Sequence, residues 1–217
     1  MRPVSVEVIS DNVCPWCWVG KRRLEKAIKS VEASGNGAPV SVSFRAFQLR
    51  PDAPKAGVDK VEMYQQKFGP GWMSIVGRVQ KAFEAEGLEL NMGGLTGNTV
   101  DSHRALCWAQ STGGPAAQQA LAEEIFAAYF TRNEHIGDAG VLADAARRAG
   151  LNAEELQAVL ASDEYAEEVD ADMQYARSLG VSGVPYFVID GKVGLSGAQP
   201  AEELASAILQ ASGRGAA

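Results

Sequence analysis

The sequence predicts an α/β fold in which two β-rich ends build one mixed sheet and a large all-α block is inserted between them. Three features of the 217-residue chain carry this expectation. Residues 4–49 read strand, helix, strand; from about 57 to 178 the apolar period turns helical and stays so; after 180 two short β-rich runs and a closing helix follow. The division expected is 1–52 with 180–217 as one discontinuous unit, and 53–179 as the insertion.

Each element has a local reason. In "VSVEVI" (4–9) the β-branched Val4, Val6 and Val8 alternate with Ser5 and Glu7, the strand period. "SDN" supplies turn chemistry, and from Pro15 the residues Cys17, Gly20, Leu24, Ala27, Ile28 and Val31 recur at helical spacing. Proline suits a first helical turn, where its missing N–H is not needed. "GNGAP" breaks the chain, and "VSVSFRAFQL" (40–49) alternates again, so a crossover should leave the two strands parallel. In the middle block, Trp72, Ile75, Val76, Val79 and Phe83 form one stripe. A helix over 99–111 is expected to stop at "GGP" before another over 117–130. Asp138 should cap the next helix, Gly150 should close it, and Asn152 with Glu155 has capping-box spacing. A last helix over 163–179 includes "DEYAEEVDAD", which reads as a solvated acidic face. Asp190-Gly191 between 185–189 and 192–196 has hairpin chemistry, Pro200 opens a final helix, and the tail "ASGRGAA" is expected to fray.

Composition narrows the function. With 46% hydrophobic residues the chain can bury a core without staples. A net charge of −7 excludes an ordinary nucleic-acid footprint, and Lys21, Arg22 and Arg23 are too small a cluster to reverse that. No segment approaches a membrane span, and "MRPVSVEVIS" has no apolar stretch of signal-peptide length, so the expected location is the cytoplasm. Three cysteines are too few for a disulfide scaffold.

Cys14 and Cys17, in "CPWC", then need a use. A thiolate is the reactive form, and a helix start presents unpaired amides and a positive dipole end to the first sulfur. The second sulfur lies one turn along the same helix, where it can resolve a mixed disulfide. Cys14 is therefore the candidate nucleophile and Cys17 the resolving thiol. The competing reading is zinc, since His103 and Cys107, four apart on a helix, would complete a tetrahedral set. The bulk of Pro15 and Trp16 and the strand-to-helix setting favour redox. Cys107 reads as a small buried hydrophobe. "GVPYF" (183–187) adds a proline opening a strand after a Gly-bearing loop. If the Val184-Pro185 bond is cis, the Val184 backbone is free to pair with an extended substrate; a trans proline at an edge strand is the plainer alternative. "GGLTGNT" lacks the lysine of a phosphate loop, and Asp11 reads as a turn former.

Through "SDNVCPWCWVGK", "NTVDSHRA" (98–105) and "GVSGVPYFVIDGKVGLSGAQ" (180–199) the chain resembles the DsbA-type thioredoxin-fold oxidoreductases, in particular the FrnE-like branch related to 2-hydroxychromene-2-carboxylate isomerases and kappa-class glutathione transferases. The resemblance implies a thioredoxin fold with a large inserted all-α helical domain, and dithiol–disulfide exchange with Cys14 as nucleophile, Cys17 as partner and Pro185 as a facing cis-proline. It also implies that Pro15 and Trp16 tune the redox potential and shape the substrate-binding groove, and it brings His103 to the cleft; a purely structural histidine is the alternative. The isomerase and transferase relatives carry serine where Cys14 stands, so the intact pair favours thiol exchange. A glutathione-dependent small-molecule enzyme and a zinc-stabilised binding module remain the alternatives. No bound cofactor or metal is expected, with glutathione admitted as co-substrate. The partners expected are thiol- or disulfide-bearing proteins or small molecules, with neither nucleic acid nor membrane.

Overall fold

The computed structural model describes residues 3–35 and 37–213, so most of the tail expected to fray lies outside the described residues. In chain order the elements are β1 (Val4–Ser10), α1 (Pro15–Ala33), β2 (Val40–Ala46), β3 (Val58–Asp59), α2 (Lys60–Phe68), α3 (Trp72–Ala85), β4 (Leu95–Thr96), α4 (Val100–Phe130), α5 (Ala139–Arg148), α6 (Ala153–Leu160), α7 (Ala166–Ser178), β5 (Tyr186–Ile189), β6 (Val193–Ser196) and α8 (Ala201–Ala211). The two ends of the chain meet in one sheet of order β2-β1-β5-β6. β1 and β2 run parallel, as a crossover through α1 requires, and β5 runs antiparallel to β1 with Val8 opposite Phe187. Asp190 and Gly191, both with positive φ, turn β5 into β6.

Alternation along β1 divides its side chains between two layers. Val4, Val6 and Val8 enter the main core with α1 and α8, while Ile9 joins Val188, Ala176 and Val181 beneath α7. The main core continues without a break into the insertion through Trp18 of α1. Its ring stacks on Phe126 and Phe130 at 6.0 and 5.9 Å and meets Phe83 edge-on at 5.5 Å. Charges reinforce the contact: Lys21 pairs with Glu123 at 2.7 Å, Arg22 with the same carboxylate, and Arg23 with Glu86 at 2.8 Å. The basic cluster of α1 thus docks the helical block.

β2 is an edge strand, and its outward amides need acceptors. The insertion supplies them. Phe44 N donates to Gln118 Oε1 at 2.7 Å and Ala46 N to Asp172 Oδ2 at 2.9 Å. Asp172 also takes a 3.0 Å bond from Arg45 and is buried, so this member of "DEYAEEVDAD" is not part of a solvated face; the strand's need for an acceptor pulls it in.

Other expectations are modified. The middle block contains a small antiparallel ladder, β3 with β4, two residues a side and too short to show a period. The helices expected over 99–111 and 117–130 follow one another as α4, whose backbone breaks at Gly114 (φ 68°, ψ −164°) just before Pro115. Only glycine tolerates that conformation, so the stop is real even though helical pairing resumes on both sides. α7 begins at Ala166, after Tyr165 in the left-handed region. Asp138 and Asn152 cap α5 and α6 as the spacing implies, but Glu155 does not return the capping-box bond: it accepts from the Trp108 indole at 3.1 Å. Among the described residues no helix is long and apolar enough to cross a membrane.

Candidate active site

Cys14 is the N-cap of α1, with extended backbone (φ −90°, ψ 114°) and Pro15 in the first turn. The turn is closed by Cys14 N donating to Asp11 O and Cys17 N donating to Cys14 O, both at 3.0 Å. Both cysteines are thiols. Cys14 is 4% exposed and donates its S–H to Val184 O at 3.4 Å, a contact across 170 residues. Cys17 is fully buried behind it. Burial pushes the Cys17 thiol well up. The hydrogen bond and the charge of Cys14 add to the rise, and the opposing Ser10 hydroxyl and Asp11 backbone do not offset it. One sulfur can therefore be reached from outside, while the other keeps its proton until a partner accepts it.

The Val184-Pro185 bond is cis. Pro185 is buried against α1, where Gly20 leaves it room, and Gly183 and Val184 form the cleft wall in front. The cleft has a volume of about 260 Å³. Cys14, Pro15, Trp16 and Val184 line it together, so the structure gathers four of the seven residues singled out in the sequence, with Cys17 and Pro185 directly behind.

His103 is not among the lining residues. It is 2% exposed, with Nε2 at 3.0 Å from Phe47 O and 3.5 Å from Asp11 Oδ1. Its neighbour Ser102 accepts from Asn12 Nδ2 at 2.9 Å. The start of α4 thus braces the "SDN" loop that carries Cys14, which is why a histidine here holds the loop from behind instead of facing the cleft. Arg104 clamps the turn between α6 and α7, donating to the carbonyls of Val159, Ser162 and Glu164 at 2.6–2.7 Å. Cys107 lies in a separate recess with Phe44, Arg45 and Asp172, and burial first, then the charges of Asp172 and Glu168, push its thiol up to about 12. The four-ligand set of Cys14, Cys17, His103 and Cys107 is not assembled; among the described residues no group of three or more His, Cys, Asp or Glu side chains converges on a point.

The opposite wall comes mostly from the insertion, joined by the segment after β2, and no motif in the sequence marks it as a wall of the site. Met63, Tyr64, Lys67 and Phe68 come from α2, Ile75 and Val79 from α3, and Leu49 and Arg50 from the segment after β2. The helical period of 72–83 marked an apolar stripe, but not that part of it faces Cys14. Tyr64 keeps its proton: burial, then the charge of Cys14, raise its hydroxyl to about 12. Asp11, in sequence a turn former, is buried, and its Oδ2 accepts from Leu49 N at 2.7 Å, tying the cysteine loop to that wall.

A family model described as a DSBA-like thioredoxin domain matches residues 5–209. Among solved structures, the probable DsbA oxidoreductase of Streptomyces coelicolor superposes with a TM-score of 0.86 at 37% identity, covering 97% of this chain and 90% of that one. YwbO of Bacillus subtilis is 28% identical over 195 residues, 88% of either chain. A 2-hydroxychromene-2-carboxylate isomerase shares the fold, with a TM-score of 0.67 at 16% identity over 89% of both chains.

Proposed function

This chain belongs to the DSBA-like thioredoxin domain family, and from that premise we propose that it is a thiol–disulfide oxidoreductase whose working group is the Cys14/Cys17 pair. The observation that carries the reading is the seat of Cys14: at the tip of α1, on the wall of a cleft, 3.4 Å from Val184 O, with the proton-bearing Cys17 behind it.

In the reducing direction the Cys14 thiolate attacks one sulfur of a substrate disulfide. A Cys14–substrate disulfide forms and the other substrate sulfur leaves as a thiolate. That thiolate takes a proton, and Cys17, giving up its own, attacks Cys14 from behind. The mixed disulfide breaks, the second substrate thiol departs, and two electrons have passed from the dithiol to the substrate while Cys14–Cys17 closes. Run backwards, the same steps oxidise a dithiol. An extended substrate segment lies beside the Val184 backbone in front of Pro185, flanked by Pro15 and Trp16, with Trp16 38% exposed at the mouth.

We assign the protein to the cytoplasm, where the ambient poise favours reduction or isomerisation over net oxidation. Fractionation of the native host tests the location, and equilibration against glutathione buffers tests the direction. The central experiment is insulin reduction driven by a small dithiol. The protein accelerates it, Cys14→Ser abolishes the acceleration, and Cys17→Ser accumulates a mixed disulfide. Full activity in Cys14→Ser overturns the proposal.

A small-molecule, glutathione-dependent reading is favoured by one feature: Cys14 is 4% exposed and lines a cleft of modest size. It requires conjugation or isomerisation that survives Cys17→Ser, an outcome that exchange chemistry forbids.

A further inference from the structure

The charges around the cleft are not those of the rest of the molecule. The chain carries 27 carboxylates against 20 lysines and arginines. Most buried or half-buried cations among the described residues find a carboxylate, as Lys21 and Arg22 do in Glu123, Arg23 in Glu86, Arg104 in Asp101 and Arg132 in Glu134. The lining of the cleft departs from this pattern. Its charged members are Arg50, Lys67 and Asp11. Asp11 is turned into the protein: Oδ2 accepts from Leu49 N, and Oδ1 lies 3.5 Å from His103 Nε2, buried and without a hydrogen-bond partner of its own. Tyr64 on the same wall is uncharged, since burial and then the Cys14 charge hold its hydroxyl near 12. Among the described residues neither Arg50 nor Lys67 forms an ion pair, and Arg50 Nη1 is buried without a hydrogen-bond partner.

An arginine nitrogen withdrawn from water and left unbonded is costly, because the desolvation of a charged donor is not offset. The backbone that presents it is nevertheless held firmly. Leu49 N is bound by Asp11, Arg50 O accepts from Ala53 N at 3.1 Å, and Pro51 O accepts from Asn98 Nδ2 at 2.6 Å. A cation that lines the same cleft as Cys14, with a donor to spare, is arranged for an anion that arrives with the substrate. Lys67 is exposed on α2 and adds long-range attraction more than a fixed bond.

We propose that Arg50, aided by Lys67, selects thiols and disulfides that carry a carboxylate next to the reacting sulfur. The guanidinium takes the carboxylate, and this anchors the neighbouring sulfur in front of Cys14. The inference rests on the exchange chemistry proposed above and assigns its substrate class. The shared chemistry can come from a small carboxylate thiol or from a peptide cysteine flanked by Asp or Glu.

The test uses the reduced full-length protein and three small disulfides: 3,3′-dithiodipropionate (anionic), 2-hydroxyethyl disulfide (neutral) and cystamine (cationic). Each second-order rate constant is divided by that of dithiothreitol with the same disulfide, which removes intrinsic reactivity. The wild-type protein prefers the anionic disulfide over the neutral one by roughly tenfold, the size expected of one charge-assisted contact. Arg50→Gln removes most of that preference, Arg50→Glu turns it towards cystamine, and Arg50→Lys keeps part of it. Arg148→Gln, which makes the same charge change on the exposed surface of α5, leaves the ratio as it was. A second arm compares disulfide-linked peptides with Glu or Gln beside the cysteine. Preference in both arms assigns acidic peptide segments to the cleft, and preference in the first alone assigns small carboxylate thiols.

A wild-type protein that consumes all three disulfides without charge preference, or an Arg50→Gln variant that keeps the preference, overturns the role of Arg50 and leaves the exchange chemistry standing. Failure to react with any of the three overturns both.

Discussion

Gly20 of α1 faces Pro185 so closely that a methyl group in place of its hydrogen would stand 2.9 Å from the proline Cγ and 3.1 Å from Phe187 Cζ. This contact sets the distance between the helix that carries both cysteines and the strand that brings Val184 to them. Gly20→Ala is expected to push α1 off β5, at a cost of about 1–3 kcal/mol for overpacking a buried contact. Chemical denaturation measures the loss. Insulin reduction should fall with it, because Cys14 and Val184 move apart.

The two thiols are expected to differ sharply towards an alkylating agent. Iodoacetamide at pH 8 should modify Cys14 of the reduced protein well before Cys17, which is fully buried and whose thiol lies well above its ordinary range. Peptide mass mapping after a short pulse reads the order directly. Labelling of Cys17 first would contradict the arrangement.

Arg104 is 5% exposed and satisfies three backbone carbonyls besides bonding Asp101 at 2.9 Å. Arg104→Met should leave those carbonyls unpaired and lower stability by about 2–4 kcal/mol. Arg104→Lys should recover little, since an ammonium cannot span the fork. Urea midpoints for the two variants decide the matter.

Lys60 gives a pH signature. It is 2% exposed and donates to Tyr129 O at 2.7 Å; burial, only partly countered by the charge of Asp59, lowers its amine to about 8 from 10.5. Below pH 8 the folded state carries a buried ammonium. Between about 8 and 10.5 the folded protein has released the proton and the unfolded chain still holds it, so stability rises with pH across that window. Measured as wild type minus Lys60→Met, which cancels the other titrations, the difference should climb by up to about 3 kcal/mol from pH 8 to 10.5. A flat difference would show that the amine titrates normally.

Much of this architecture is legible in the chain because periodicity survives folding. Val4, Val6 and Val8 announce their strand, and the Asp190-Gly191 turn announces the hairpin. Cys14, Pro15, Trp16 and Val184 are found by motif and do meet. The rest is hidden for definite reasons. A ladder of two residues a side has no period to detect. Asp172 looks like its acidic neighbours, and only the unpaired amide of Ala46 distinguishes it. Asp11 has the local signature of a turn and acquires its buried role from Leu49 and His103, which are distant in sequence. Tyr64, Phe68 and Val79 belong to apolar faces that sequence can identify, yet nothing local says that such a face meets Cys14. His103 fails in the other direction: a titratable residue in a recognisable segment that holds a loop from behind.

The order of strands has a bearing on how the protein is made. β1 lies between β2, completed early, and β5, which is among the last elements synthesised. Cys14 therefore leaves the ribosome 170 residues ahead of the carbonyl that receives its thiol. Throughout that interval the nascent chain carries both sulfhydryls of the pair with one cleft wall still unmade, and a stalled or truncated product would present them to any passing oxidant. Translation of this protein has to outpace stray oxidation, or be shielded from it, until its final strands dock.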